Sequence, residues 1–266
     1  MKILLISGSH PRHFFVHEEI INLGYDCSAI VMNRENLIPD PPANISFSDK
    51  NLFEKHFNER YKIENTAFGK LSINIFNKVE TLFCNPHELN SQRTAEFIRK
   101  QNPNIAFIFG PDLIKNPVFR ELPKDKINLH LGLSPWYRGS ATLFWPFYFL
   151  EPQFAGATFH QISLEADAGG ILHQSIPILE YNDGIHDVAV KTVLSAKNDL
   201  RDLLGIFKQK KKFFYKKQKS TGKLFLTKDF KPHHLKNIYQ FFNNDIVKHY
   251  LKGNLGTEKP KLIRAF

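Results

Sequence analysis

The sequence has few of the features that mark secreted, membrane-spanning or disulfide-linked proteins. Cysteine occurs at only two of 266 positions, Cys27 and Cys84, and these share no metal-ligand spacing. We therefore expect no structural disulfides and a reducing compartment. The apolar run in residues 2–7 is too short for a signal peptide, and no stretch is long enough to span a bilayer. These absences predict a cytoplasmic protein with no membrane partner.

Motifs of several enzyme classes are also missing. The sequence has no Gly-x-Ser-x-Gly nucleophile elbow and no histidine and cysteine cluster with zinc spacing. The loop after the first predicted strand has a single glycine, Gly8, before its helix, so it lacks the dinucleotide-binding fingerprint. These gaps argue against hydrolases with such an elbow, against a bound metal and against that type of dinucleotide site.

The composition fits a folded chain with an anionic ligand. Hydrophobic residues make up 42% of the sequence and charged residues 23%, enough for one large domain with or without a small appendage. The formal net charge is +10. An excess of this size suits nucleic acid, an anionic small substrate or an anionic cofactor, and charge alone does not separate them.

The hydrophobic pattern predicts an α/β protein. Residues 2–7 form a short apolar run typical of a buried parallel strand, and a helical pattern and a second strand follow. Strand, helix and strand in this order open a doubly wound sheet. Further strands are predicted at 104–110, 127–130, 154–163 and 169–177, and helices at 14–22, within 47–68, and at 89–101, 115–122 and 187–208. A helix is also expected to begin near residue 140 and to bend or end at Pro146.

The last part of the chain differs in composition. Residues 208–219 interleave lysines with aromatic residues, residues 224–226 suggest a short strand, and residues 232–251 carry a helical pattern. We therefore predict a catalytic domain over residues 1–207 and a basic, aromatic segment over residues 208–266. Most charge runs are solvated faces, so nucleic-acid binding is the less favoured interpretation of this segment.

Two polar clusters in the sequence contain candidate site residues. Asn128 and His130 end an apolar strand, and because residues two apart on a strand share a face, both side chains point the same way. Asp167 lies downstream in a short polar stretch. We expect the amide, the imidazole and the carboxylate to meet in one pocket. Taken alone, a histidine at a strand end is more often structural than catalytic.

The pattern Asn128-x-His130-x-x-Leu-x-Pro-x-x-x-Gly139, with Asp167 followed closely by Gly-Gly-Ile, resembles the signature of 10-formyltetrahydrofolate-dependent formyltransferases. Residues 156–160 resemble that family's Gly-x-Thr-x-His strand. Gly132 and Ser134 depart from the usual residues of the loop. The family includes glycinamide ribonucleotide, methionyl-tRNA and nucleotide-linked amino-sugar formyltransferases.

The resemblance implies a Rossmann-like, mostly parallel sheet and transfer of a formyl group from 10-formyltetrahydrofolate to an amine. Asn128 and His130 would donate to the developing oxyanion, and a nearby Asp167 would favour the protonated imidazole and relay protons. Glu165 and Asp183 are rival carboxylates, but Asp167 occupies the family position.

The resemblance also implies ligand contacts. Phe109, Gly110 and Leu113 match positions around the folate's pterin ring, and the loop positions Leu133, Pro135 and Gly139 are assigned to the same co-substrate. From position alone, His10, Arg12 and Arg138 are candidates for contacting phosphates of the acceptor, and a solvated loop at residues 10–13 is about equally consistent.

The prediction of the acceptor is based on the length of the chain. Methionyl-tRNA formyltransferases add a larger C-terminal barrel, and glycinamide ribonucleotide formyltransferases are shorter than this chain. Amino-sugar formyltransferases commonly have a core of this size with a short C-terminal segment used in dimers. We therefore expect a nucleotide-linked amino-deoxysugar as acceptor and a homodimer. Formylation of methionyl-tRNA or of glycinamide ribonucleotide, formyl-folate hydrolysis and an RNA-binding protein remain alternatives.

Overall fold

A seven-stranded sheet forms the centre of the protein in this computed structural model, which describes residues 1–34, 36–69, 73–218 and 222–266. The strands in chain order are β1 (Lys2–Ser7), β2 (Asp26–Met32), β3 (Glu80–Cys84), β4 (Ile105–Phe109), β5 (Asp125–His130), β6 (Tyr137–Gly139), β7 (Ala157–Gln161), β8 (Ile171–Ser175) and β9 (Lys223–Phe225). The large sheet has the order β3-β2-β1-β4-β5-β7-β8. Its strands run parallel from β3 to β5, and β7 and β8 are antiparallel additions.

Helices cover both faces of this sheet. They are α1 (Pro11–Asn22), α2 (Phe47–Phe68), α3 (Gln92–Gln101), α4 (Val118–Glu121), α5 (Trp145–Tyr148), α6 (Ile185–Lys210) and α7 (Ile246–Leu251). Alternate residues of a strand face opposite sides, so Ile3 and Leu5 pack with α1 and α6, whereas Leu4 and Ile6 pack with α3 and α4. The predicted α/β class and the mostly parallel sheet are confirmed.

Several local predictions were wrong. β3 was not predicted, because this edge strand is short and leaves Phe83 44% exposed, which hides the apolar run. Helix α5 spans only four residues, and Pro146 stands near its start, where a missing N–H costs nothing, instead of ending it. The helical pattern over 232–251 is broken into short turns and α7, and Asn243 and Asn244 adopt positive φ between them.

The C-terminal segment packs against the loop that follows β5. Strand β9 pairs in parallel with β6 in a second, two-stranded sheet. Phe225 stacks on Trp145 at 4.4 Å between ring centroids, and Leu235 and Ile238 are buried in the same cluster. Lys219, the last residue of the predicted basic run, lies outside the described residues. In the described ranges, no helix combines the length and apolar character needed to cross a membrane.

Helix α1 carries a histidine whose burial predicts acid sensitivity. His17 is fully buried against Phe107 and Phe109, and burial lowers its pKa to about 4. Because the folded-state pKa lies below the unfolded value of about 6.5, this stabilisation is complete above pH ~6.5 and is lost as the pH falls from there. Each such histidine is expected to remove up to about 1.4 kcal/mol of unfolding free energy per pH unit.

Urea unfolding at a series of pH values between neutrality and about 4 checks this expectation. His17→Leu, which removes the titrating ring, should give a shallower dependence than the original chain. An equal slope for both proteins would contradict it.

Candidate active site

The three predicted polar residues line one cavity at the carboxyl ends of the central strands. Asn128, His130 and Asp167 all face this space, which has a volume of about 640 Å³ and which we call the main pocket. In doubly wound sheets, ligands bind beyond the carboxyl ends of the parallel strands. Asn128 and His130 share one face of β5 as their spacing predicts, and the loop before β8 brings Asp167 to them.

Asp167 connects two histidines. Its Oδ2 lies 3.4 Å from Nδ1 of His130, and its Oδ1 lies 3.2 Å from Nε2 of His160. Asn128 completes the group, because its Nδ2 lies 3.1 Å from the same nitrogen of His160. The contact follows from the antiparallel register, which pairs Asn128 on β5 with His160 on β7. The cavity wall is therefore one connected polar cluster.

The charge states of this cluster are set by burial and by its own members. Burial lowers the pKa of His130, and Asp167 opposes this shift without reversing it. Burial alone would raise the pKa of Asp167, but His130, His160 and the amide of Gly139 outweigh it, so the pKa lies below its usual value. Asp167 is thus an anion and His130 rests neutral.

Each imidazole lies between two hydrogen-bond acceptors. His130 Nε2 is 3.0 Å from the carbonyl oxygen of Tyr137, and its other nitrogen faces Asp167. His160 Nδ1 is 3.0 Å from the carbonyl oxygen of Gln161, and its other nitrogen also faces Asp167. A neutral imidazole has one N–H and can donate to only one acceptor. The second acceptor at each ring can therefore hydrogen-bond a proton added to that ring.

The backbone around Asp167 is held from two directions. Asp167 has φ of 50°, a left-handed conformation that aspartate tolerates better than most residues. The amide of Gly139 donates to its Oδ2 at 2.9 Å. From the C-terminal segment, Gln218 Nε2 donates to the carbonyls of Asp167 and Gly169 at 2.7 and 2.6 Å. Gln218 thus braces the loop that carries the carboxylate.

Gln218→Ala is expected to loosen this loop. Each lost neutral hydrogen bond is worth about 0.5–1.5 kcal/mol, so amide hydrogen exchange within residues 163–170 should quicken by about tenfold. Exchange followed by mass spectrometry measures the effect. Gln92→Ala, on the exposed side of α3, is the matched control and should leave these amides unchanged. Unchanged exchange in the Gln218 variant would show that the loop is held without it.

The other predicted ligand residues divide into two groups. Phe109, Gly110, Leu113 and Gly139 line the main pocket, as do the proposed phosphate contacts His10 and Arg12. Leu133, Pro135 and Arg138 lie outside its lining. Leu133 is fully buried and would meet any side chain added at Gly156, so it supports the loop from behind.

Two contributions to this wall were not predicted from the sequence. The motif at residues 156–160 does not show a role for His160, because its contact with Asn128 depends on the register of β7. Residues 224–227 of the C-terminal segment also line the main pocket. No local pattern places them there, because β9 reaches β6 only through tertiary pairing.

Comparison with known proteins shows which solved structures share this fold. No protein-family model matches the sequence. Solved structures of formyltransferases superpose on most of the chain. The chain has the formyltransferase fold.

Three examples show the range of this likeness. An N-formyltransferase from Helicobacter canadensis, solved with folinic acid and dTDP-3-aminofucose, matches with a TM-score of 0.56 and 16% identity over 91% of this chain and 81% of its own. A 4-N formyltransferase from Francisella tularensis matches with a TM-score of 0.56 and 19% identity over 86% and 77%. Phosphoribosylglycinamide formyltransferase from Anaplasma phagocytophilum matches with a TM-score of 0.55 and 15% identity over 79% and 88%.

The formyltransferase fold is therefore shared with enzymes that differ in their acceptors. The superpositions, with TM-scores of 0.55–0.56, establish a common architecture, and identities of 15–19% do not choose between a sugar and a ribonucleotide. Among the residues that the structure describes, no group of three or more histidine, cysteine, aspartate and glutamate side chains could hold a metal ion.

Proposed function

We propose that the protein transfers the formyl group of 10-formyltetrahydrofolate to the amine of a nucleotide-linked amino-deoxysugar. The observation that carries this proposal is the polar cluster of the main pocket, in which one carboxylate joins two imidazoles beside an amide. Attack of an amine on a formyl carbon forms a tetrahedral oxyanion, and its collapse requires a proton to move from the attacking nitrogen to the leaving nitrogen. The cluster offers groups for both needs.

Asn128 supplies hydrogen-bond donors. Its amide has two N–H groups, and the contact with His160 involves at most one of them. The second is left for the oxygen of the formyl group, where negative charge develops. Because the donor is fixed by its neighbour before the substrate arrives, little reorganisation is required during the reaction.

His130, His160 and Asp167 supply the proton route. His130 rests neutral, so it can accept the proton that the amine loses, and the resulting imidazolium is stabilised by Asp167 and the carbonyl of Tyr137. The same proton then passes to the leaving nitrogen of the folate. Asp167 stays ionised throughout and keeps both rings in place.

The charge of the pocket lining and of the chain supports an anionic acceptor. Arg12 and Arg34 line the main pocket, and the chain carries a net charge of +10. The Helicobacter canadensis relative was solved with a thymidine-linked aminosugar and a folate together. Phe109, Gly110 and Leu113 lie on the β4 side of the pocket, where a flat pterin ring would reach backbone groups.

The experiment is a spectroscopic assay of tetrahydrofolate release from 10-formyltetrahydrofolate. Thymidine- and uridine-linked amino-deoxysugars should support release, with a formamide as the second product. Glycinamide ribonucleotide and charged initiator tRNA serve as competing acceptors, and release of formate without an acceptor would indicate hydrolysis. Salt-sensitive RNA binding with no folate turnover on any amine would sink the enzymatic proposal.

A further inference from the structure

A second cavity of about 260 Å³ lies beside the main pocket, and we call it the inner chamber. Arg12 and Thr142 belong to the walls of both spaces. Between them, the hydroxyl of Thr142 donates to the carbonyl of Leu131, which closes part of the partition. The remaining walls come mainly from α2 and α6. The inner chamber is therefore adjacent to the reacting groups but separate from them.

The inner chamber carries one uncompensated positive charge. Arg12 Nη1 donates to both carboxylate oxygens of Glu64, at 2.6 and 2.9 Å, while its buried Nε has no partner. Within the described ranges Arg60 makes no ion pair, and its one hydrogen bond, to the carbonyl of Leu37, is long at 3.4 Å. Burial lowers the pKa of Arg60 to about 10, so it remains a cation at neutral pH. Two guanidinium groups thus face one carboxylate.

A chain of hydrogen bonds fixes what the histidines offer. Tyr239 Oη lies 2.8 Å from His56 Nδ1 and 3.2 Å from His186 Nε2. Burial holds the pKa of His56 well below its usual value and that of His186 at about 3, so both rings are neutral. The backbone of His56 also accepts a hydrogen bond from the ring of His186, and this bond uses the single N–H of that neutral ring. Its Nε2 therefore accepts from the Tyr239 hydroxyl.

The order of these bonds leaves an acceptor at the inner chamber. Tyr239 donates to His186, so its oxygen accepts the N–H at Nδ1 of His56. Nε2 of His56 then carries a lone pair, and no partner for it is recorded in the described parts of the chain. His56 lines the inner chamber. A ligand there must present an N–H or O–H to this nitrogen.

The volume and the lining residues of the inner chamber further restrict the class of ligand that it can bind. Pockets for whole drug-sized ligands have volumes of about 300–1,000 Å³, so the inner chamber suits one ring system and not a complete sugar nucleotide. Phe57, Phe144 and Phe230 supply aromatic surface. A flat ring with an N–H edge matches both the aromatic walls and the acceptor of His56.

We infer that the inner chamber binds the nucleoside diphosphate end of the acceptor, with a single-ring base. The phosphates lie on Arg12, which lines both spaces, and on Arg60 of the inner chamber, and an N–H of the base faces His56. The attached sugar then extends past Thr142 towards Asn128 and His130. This inference rests on the proposed function for the identity of the sugar's amine, but the binding itself is measured without catalysis.

Two variants test it through calorimetric binding of thymidine diphosphate, inorganic pyrophosphate and 5-formyltetrahydrofolate, an unreactive folate. Arg60→Gln removes one charge and should weaken both phosphate compounds by about tenfold or more. Ala189→Leu fills the inner chamber from α6 and should weaken thymidine diphosphate to a similar degree but not pyrophosphate. Arg93→Gln, on the exposed surface of α3, should change nothing. Thermal unfolding confirms that each variant is folded.

The outcomes separate this inference from the proposed function. Thymidine diphosphate that binds both chamber variants as tightly as the original chain would overturn the inference, even if folate binding and formyl transfer are found. Pyrophosphate that binds the original chain as tightly as thymidine diphosphate would exclude a base site. Absence of folate binding, together with the expected nucleotide pattern, would overturn the proposed function and leave the inner chamber as a nucleotide site.

Discussion

His130→Ala is expected to lower the turnover number for formyl transfer by about 10²–10⁴-fold, the usual contribution of a positioned general acid or base. The imidazole lies between Asp167 and the carbonyl of Tyr137, which stabilise its protonated form, and alanine offers no proton carrier at this position. Stopped-flow or steady-state release of tetrahydrofolate gives the measurement. The affinity for 5-formyltetrahydrofolate should change little, because the ring is only 7% exposed and offers the folate a small surface.

The control for this variant is His87→Ala. His87 is exposed, so its loss should leave turnover and stability unchanged. A His130 variant that folds, binds the folate and turns over at the original rate would end the catalytic assignment. A variant that loses folate binding and turnover together would instead assign His130 to ligand binding.

Gly222→Ala is expected to destabilise the protein by about 3 kcal/mol or more, at the upper end of the range for overpacking. A methyl group built at Gly222 would overlap the backbone carbonyl of Pro135, and neither backbone can move without separating β9 from β6. For a chain of this size the midpoint of thermal unfolding should fall by roughly 6–12 °C. Folate binding should also weaken, because residues 224–227 leave the pocket wall.

The same substitution at Gly205 is expected to change the stability of the protein in the opposite direction. Gly205 lies inside α6, and a methyl group built there meets no atom within 4 Å. Gly205→Ala should therefore stabilise the protein by about 0.5–1 kcal/mol through helix propensity. If Gly222→Ala proved as neutral as an ordinary surface change, the close packing of β9 against the loop would be wrong.

The sheet could be predicted from sequence where the apolar pattern is continuous. β1 and β4 are buried on both faces, and their uninterrupted apolar runs identified them. β3 failed this criterion because it is an edge strand with one exposed face. The region after residue 232 failed for another reason, since the apolar spacing continued while Asn243 and Asn244 turned the backbone out of a helix. Periodicity records which side chains are buried, and it does not record where the backbone turns.

The active site, too, could be predicted from the sequence only in part. The common direction of Asn128 and His130 follows from strand geometry alone. The choice of Asp167 over Glu165 came from family resemblance, and the structure brings Asp167 within 3.4 Å of His130. His160 and Gln218 required tertiary information, because their partners are distant in sequence and reached through strand register or the packing of the C-terminal segment.

The pairing of β6 with β9 bears on synthesis of the protein on the ribosome. All strands of the large sheet and helix α6 precede β9 in the chain. A nascent chain that has emerged through α6 can therefore assemble its sheet while the wall formed by residues 224–227 is still inside the exit tunnel. The main pocket is therefore expected to be completed late in translation, after the scaffold that positions Asn128 and His130 already exists.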